Sequence, residues 1–206
     1  MEPNASSQIS DDAPVVNSAR ELAKTCLTDM RHTEHVTRLA LQLFDQLKEL
    51  HQMGEVERNW LEIAAVLHDA GWVEGWQAHH KASLRIILKS PLLPLDQHQR
   101  LIIGSIARYH RRALPSLEHD HYAALGDAER KIVDWLAAIL RLADGLDSTH
   151  QSLVMDVFCK TSRKKIIVHC LVHNRAGADQ SGAQEKSDLL KKVSGRDVIV
   201  RSKKVD

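Results

Sequence analysis

Residues 60–71, WLEIAAVLHDAG, decide how this chain is read. Trp60, Ile63, Ala64 and Leu67 recur at steps of three and four, the stripe of a helix that buries one face. The stripe runs straight into His68 and Asp69, and Gly71 predicts a break just beyond them. An imidazole and a carboxylate side by side at the end of an apolar helix need a reason, because a buried charge without a partner costs several kcal/mol.

Outward from this stretch the helical period continues on both sides. From Ser18 onward, Val36, Leu39, Ala40, Leu43, Phe44, Leu47 and Leu50 predict a long amphipathic helix ending before Gly54. Further helices are expected over 55–68, over 79–89 (stopped by Pro91 and Pro94), over 96–110 and over 126–147. After Gln151 the pattern changes. VMDVFCK and KKIIVHCLV alternate and are rich in β-branched residues, with SRK between them, so they predict a hairpin. NRAGADQSG reads as a loop, AQEKSDLLKKV as a helix stopped by Gly195, and DVIVRS as a last strand. The expected fold is mainly α. It has a polar, disordered arm over 1–17, a helical bundle over 18–152 and a small α+β appendage over 153–206.

Composition narrows the function classes. The 206 residues are 27% charged and 43% hydrophobic, ordinary for a soluble domain with a proper core. A formal net charge of +1 gives no global attraction to nucleic acid or membrane. Basic and aromatic residues do not interleave into a nucleic-acid platform, so no duplex partner is expected. No apolar run approaches the ~20 residues of a membrane span, and the N-terminus lacks a signal-peptide layout. Cys26, Cys159 and Cys170 form no CxxC and read as reduced thiols, so a cytoplasmic protein is expected. Thirteen histidines are an unusual load for this length.

The placement of those histidines carries more than their number. His32 lies four residues before Val36, His110 four after Ile106, and Asp144 four after Leu140. Each therefore sits on the inward stripe of its helix, and His79 opens another. Alone, each reads as a hydrogen-bonded core residue or a helix cap. On one bundle, with His68 and Asp69, they point to a divalent cation that compensates several buried acceptors at once. Imidazole and carboxylate without thiolate suit Mn, Fe, Co, Ni or Zn and exclude an iron–sulfur or structural cysteine–zinc site.

His32, His68-Asp69 and Asp144 match, in order and helical context, the H…HD…D signature of HD-domain metal-dependent phosphohydrolases. The longer set HTEHVTRLALQLFDQLKELH, AAVLHDAGW, HHKAS, ARYHRR, AAILRLADGLDSTH and AQEKSDLLKKVSGRDVIV resembles the C-terminal HD-like region of the exopolyphosphatase/guanosine pentaphosphate phosphatase (Ppx/GppA) family. That resemblance covers residues 20–202. It implies hydrolysis of a phosphate ester or anhydride (a nucleotide, a guanosine polyphosphate or polyphosphate) through a metal-activated water. His32, His68, Asp69 and Asp144 would hold a first ion. His79 or His80, with His110, would hold a second, bridged by Asp69. Mg joins the candidate metals, and Asp69 with His68 forms the expected catalytic pair. His80, Lys81, Arg108 and Arg111, with Arg112, would hold phosphate oxygens.

Two departures favour an alternative, a non-catalytic regulatory, ligand-binding or dimerisation module. The family usually has His where this chain has Ala82. Its actin-like N-terminal domains, which carry the polyphosphatase site, have no counterpart in these residues, so nothing of that site is carried over. A third reading is a helical domain that holds no metal. Partners expected are a phosphorylated small molecule or polyphosphate, and the hairpin edge is open to a homodimer. Asp147 reads as a helix-end cap, with support of the site as the alternative. His35 reads as a partly exposed helix residue, or as one that orients a ligand. Trp72 and Trp76 read as core or rim packing, or as a lid. His51, His98, His119, His121, His150, His169 and His173 lie off the pattern and are given no role.

Overall fold

Asp29 starts the first element that carries the site. Its carboxylate accepts the His32 backbone N–H at 3.1 Å, an N-cap that begins α2 (Met30–Gln46). The computed structural model describes residues 13–26, 29–172 and 178–204, and in it the single long helix expected from Ser18 is three. α1 (Ala13–Cys26) begins within the expected arm, whose residues 1–12 lie outside the described ones. α3 (Lys48–His51) is one turn, ended by Gln52 in the left-handed region at φ 57°. The continuous apolar period hides these breaks, because a cap is set by one side chain and not by the stripe.

α4 (Glu55–Leu67) opens where the Glu57 carboxylate accepts the Gly54 N–H at 2.8 Å. A 3-10 helix over Ala70–Glu74 leads to α5 (His79–Lys89). α6 (Gln97–Arg108) begins in a reciprocal box, with Asp96 accepting from the Gln99 N–H and Gln99 from the Asp96 N–H. A single turn, α7 (Asp120–Ala123), precedes α8 (Asp127–Gly145). α2, α4, α6 and α8 pack around a common interior built from Leu39, Leu43, Ile63, Ile102, Ile106 and Leu140. Every one of the four ends or starts beside the same spot, and this convergence positions the site. No described helix is long and apolar enough to cross a membrane.

The tail supplies β1 (Val154–Thr161), β2 (Lys165–Val172) and β3 (Asp197–Lys204), with α9 (Ala178–Glu185) and α10 (Asp188–Ser194) between the last two strands. β1 and β2 form the expected hairpin, and β3 joins β2 in parallel, giving the order β1-β2-β3. Residues 178–182, expected as loop, belong to α9, while 174–177 lie outside the described residues. The helix expected over 183–193 is interrupted at Lys186 and Ser187. There the Ser187 hydroxyl donates to the Gln184 carbonyl at 2.7 Å and competes with the helical ladder.

Both outer edges of the sheet are occupied by glutamine amides. Gln46 of α2 donates to the Val157 carbonyl and accepts from the Cys159 N–H, each at 2.7 Å. Gln184 of α9 does the same for Val198 and Val200, at 3.0 Å each. The hairpin edge that the sequence leaves open to a second copy is thus filled at its centre from within the chain. Beneath the sheet, Val157, Ile166, Val168, Leu189, Leu190 and Val200 join the helical interior in one continuous cluster.

Candidate metal centre

Four imidazoles are aimed by the same device. His68, just past α4, donates from Nδ1 to the Ala65 carbonyl at 2.7 Å. His110, just past α6, donates to the Ala107 carbonyl at 2.7 Å. His79, the first residue of α5, donates to the Trp76 carbonyl at 2.9 Å. His32, in the first turn of α2, donates to the Asp147 carboxylate at 2.8 Å. Carbonyl and carboxylate oxygens only accept, so the proton sits on Nδ1 in each case. With Nδ1 so committed, each ring in its neutral form presents Nε2 as the lone pair, the arrangement a metal-ligating histidine needs.

Those Nε2 atoms converge on two carboxylates. His32 lies 3.5 Å from Asp144 Oδ1 and 3.8 Å from Asp69 Oδ2, and His68 lies 3.5 Å from Asp69 Oδ2. The other oxygen, Asp69 Oδ1, is 3.0 Å from His79 Nε2 and 3.5 Å from His110 Nε2. The result is two buried triads with potential ligand atoms within 4.8 Å of one another, His32/His68/Asp144 and Asp69/His79/His110. Asp69 turns one oxygen toward each.

Lone pairs facing lone pairs repel unless a cation lies among them. His79 and His110 Nε2 are 3.3 Å apart, and the buried Nε2 atoms of His32 and His68 have no hydrogen-bond partner among the described residues. A proton answers part of this. Burial lowers the pKa of His32, but the Asp144 and Asp147 carboxylates outweigh it and raise it to about 10. Burial holds His68 and His110 below the usual imidazole range, so they stay neutral. Burial would raise Asp69 and Asp144, yet His68 and His79 hold Asp69 low, and Lys186 and His32 hold Asp144 well below the carboxylate range. Both remain ionised. Nitrogen and oxygen donors of this kind, ionised or neutral at ordinary pH and free of thiolate, fit one or two divalent cations.

A family model, Ppx/GppA phosphatase, domain III, matches residues 16–189. The chain belongs to the Ppx/GppA domain III family. It is 29% identical over 133 residues to a protein of Pseudoalteromonas atlantica described as guanosine-5'-triphosphate,3'-diphosphate pyrophosphatase. That match covers 64% of this chain but only 26% of the relative's length, so this chain spans a fraction of that larger protein.

Within this domain III chain the residues singled out from sequence fall into two groups. His32, His68, Asp69, His79, His110 and Asp144 come together in the triads. His80 does not. It turns into a neighbouring cleft of about 540 Å³ with Lys81, Arg108, Arg111 and Arg112. Burial, then Arg108, His79 and Arg111, lower its pKa to about 4, so it is neutral. The structure thus separates the two adjacent histidines that the sequence leaves open. Arg111 lines both this cleft and the smaller pocket, about 200 Å³, over the triads.

Several residues of the centre carry little or no sequence signal. Asp147, read as a helix cap, is fully buried; it accepts from His32 Nδ1 and from the Ser152 N–H at 2.6 Å, and so fixes the ring. His150, given no role, stacks on His32 with centroids 3.8 Å apart and lines the pocket. Lys186, at the break between α9 and α10, sets its ammonium on Asp144 Oδ2. Asp147 could have been found from its position three residues after Asp144. Lys186 could not, since nothing in AQEKSDLL marks one lysine above another. His35, expected as partly exposed, is buried, and its Nδ1 meets Arg38 Nη2 at 3.2 Å. Trp72 lines the pocket rim, its ring 5.3 Å from that of His79, and Trp76 is exposed on the adjoining cleft.

Proposed function

We propose that this domain is a metal-dependent phosphohydrolase acting on a phosphate ester or anhydride. The observation that carries the reading is the pair of buried His/Asp triads beside Asp69, with imidazole Nε2 atoms turned toward ionised carboxylates. His32, His68 and Asp144 would hold one divalent ion, and His79 and His110 a second, with Asp69 placed to serve both. A bound cation of this kind lowers the pKa of water and polarises phosphoryl oxygen. The chain's own groups do the rest. Asp147 and the Ala65, Trp76 and Ala107 carbonyls fix the imidazole tautomers. Arg111, with Nη1 3.4 Å from His79 Nε2, meets phosphoryl oxygens at the pocket mouth. Trp72 shields one wall from water. Family membership supports a phosphorylated nucleotide or polyphosphate as the substrate class.

A second reading has its own observation. The Lys186 ammonium already supplies a positive charge to Asp144, as it would in a domain that keeps the shape of the centre and binds phosphorylated ligands without turning them over. Elemental analysis and a hydrolysis assay separate the two. The enzyme reading expects bound metal, loss of phosphate release on chelation, recovery with Mn²⁺, and no metal in Asp69→Ala. Metal-replete protein that binds but never hydrolyses phosphorylated compounds upholds the second reading, and protein that holds no metal sinks the first.

A further inference from the structure

We propose that the outer face of the three-stranded sheet is a platform for single-stranded nucleic acid, whose bases stack on the Phe158 and His169 rings while its phosphates meet Lys160, Arg201 and Lys203. This surface is separate from the metal centre and does not rest on the phosphohydrolase reading.

The sheet has two unlike faces. Val157, Ile166, Val168, Cys170, Val198 and Val200 turn inward and are buried in the common interior. By the alternation of a strand, their neighbours Phe158, Ile167, His169, Leu171 and Ile199 share the opposite face. There they are only half-buried, and the four apolar ones belong neither to the buried cluster nor to the side chains packed against it.

Register decides what this face presents. Phe158 pairs with His169, and His169 with Arg201, so a phenyl ring, an imidazole and a guanidinium stand in one row across the three strands. The two rings are stacked, with centroids 4.5 Å apart and planes 12° from parallel. The flanking rows are Lys160, Ile167 and Ile199 on one side and Asp156, Leu171 and Lys203 on the other. No carboxylate pairs with Lys160, Arg201 or Lys203 among the described residues. The two acids of this face are engaged elsewhere. Asp156 accepts the Val157 N–H at 2.9 Å, and Asp197 meets the Lys191 ammonium at 3.0 Å. Slight burial, then the charges of Lys160, Arg201 and Lys203, hold the His169 pKa below the usual imidazole range, so three cations bear on one neutral ring.

The charge of the chain is divided in the same sense. Residues 153–206 hold twelve lysines and arginines against six aspartates and glutamates, whereas residues 1–152 hold sixteen against twenty-one. The net charge of +1 therefore averages an acidic bundle with a basic appendage. Arg163 and Lys164 in the hairpin turn, with Lys165 at the start of β2, extend the basic side beyond Lys160. The rings and cations are scattered along the chain, so only strand pairing assembles the interleaved surface that the sequence does not display.

These features select the partner. A basic patch alone suits any polyanion. A stacked ring pair set among cations suits one that carries a base beside each phosphate, because every base has a π-face and the backbone is left to the lysines and the arginine. The apolar side chains of this face are half-buried between charged ones, which gives a base a surface to lie on but gives a lipid bilayer no protruding hydrophobic stripe.

The test is fluorescence anisotropy of a labelled oligouridylate of about ten nucleotides, titrated with the full chain in EDTA. Asp69→Ala should bind it as the unmodified chain does, which keeps the measurement apart from the metal centre. Log affinity should fall with log salt at a slope of about −2, since ~3 phosphates are neutralised and each contributes about 0.7 on a single strand. Arg201→Gln and Lys203→Gln should each take about 0.7 off this slope. Lys89→Gln, at an exposed position of α5, should leave it unchanged. Phe158→Leu keeps an apolar side chain but loses the ring. It should weaken binding about tenfold at an unaltered salt slope and near-native melting temperature, and Phe158→Tyr should retain full affinity. Unchanged affinity in Phe158→Leu, or inorganic polyphosphate competing as well per phosphate as unlabelled oligouridylate, overturns the proposal and leaves a plain polyanion surface. Capture by phosphatidylserine vesicles without oligouridylate binding overturns it in favour of a membrane surface. A dimer that Arg201→Gln dissolves, again without oligouridylate binding, overturns it in favour of the acidic bundle of a second copy.

Discussion

His32 holds a proton that an incoming metal ion would have to displace. With its pKa raised to about 10 by Asp144 and Asp147 against the pull of burial, it is an imidazolium at neutral pH. The sign follows from linkage. A raised pKa stabilises the metal-free fold fully below the unfolded value of 6.5, and this contribution is lost as pH rises through about 10. Ligation needs the neutral ring, so metal binding releases this proton at any pH below 10. Apparent Mn²⁺ or Zn²⁺ affinity should therefore rise about tenfold per pH unit from roughly pH 7 until it levels off near pH 10. Calorimetry in buffers of different ionisation enthalpy counts the proton directly. Asp147→Asn removes one of the two carboxylates, and should flatten this slope while weakening metal affinity about 10- to 100-fold. An affinity indifferent to pH across that window takes His32 out of the ligand set. At this scale the sequence named the histidine but not its charge, because the charge depends on an aspartate 115 residues away.

The element that holds the centre together is the short 3-10 helix after Asp69. It lies so close to α5 that a Cβ added at Gly71 would stand 2.0 Å from the His79 carbonyl oxygen and 2.6 Å from the Ser83 nitrogen. Ser83 reinforces the contact, its hydroxyl donating to the His68 carbonyl at 2.6 Å and accepting from the Gly71 N–H at 2.9 Å. Both neighbours of that Cβ are backbone, so neither can rotate away. Gly71→Ala should cost about 3 kcal/mol and part Asp69 from His79, and on the proposed two-ion reading should lower bound metal toward one equivalent. Thermal melts with metal analysis check both effects. Gly54→Ala, whose Cβ would meet only the Glu57 carboxylate at 3.7 Å, is the matched control and should change little. The break at Gly71 was legible in sequence. Its purpose was not, since a glycine that turns the chain and one that lets two elements touch look the same in a string.

Across the whole molecule, the appendage is part of the centre. One buried cluster crosses the boundary expected near residue 152, and the tail sends Lys186 onto Asp144 and Asp188 onto Arg141. Leu189, Leu190, Val198 and Val200 are each buried, and side chains of this size contribute about 1.5–3 kcal/mol apiece. Their sum is comparable to the roughly 5–15 kcal/mol stability of a typical domain. The chain should therefore unfold in a single calorimetric transition, and a version cut after Val172 should lose cooperative folding. A truncated protein that melts sharply and keeps its full metal content would show instead that the bundle stands alone.

Helix positions, the hairpin and the ordered histidines and aspartates were set by the sequence itself, because stripes, caps and alternation act over three or four residues. The tertiary structure alone decided the rest. It chose His79 over His80 for the triads, turned Asp147 from a cap into a brace, brought in His150 and Lys186, and filled the sheet edges with Gln46 and Gln184. Each of these depends on how one element is rotated against another far along the chain, and local spacing holds no record of that angle.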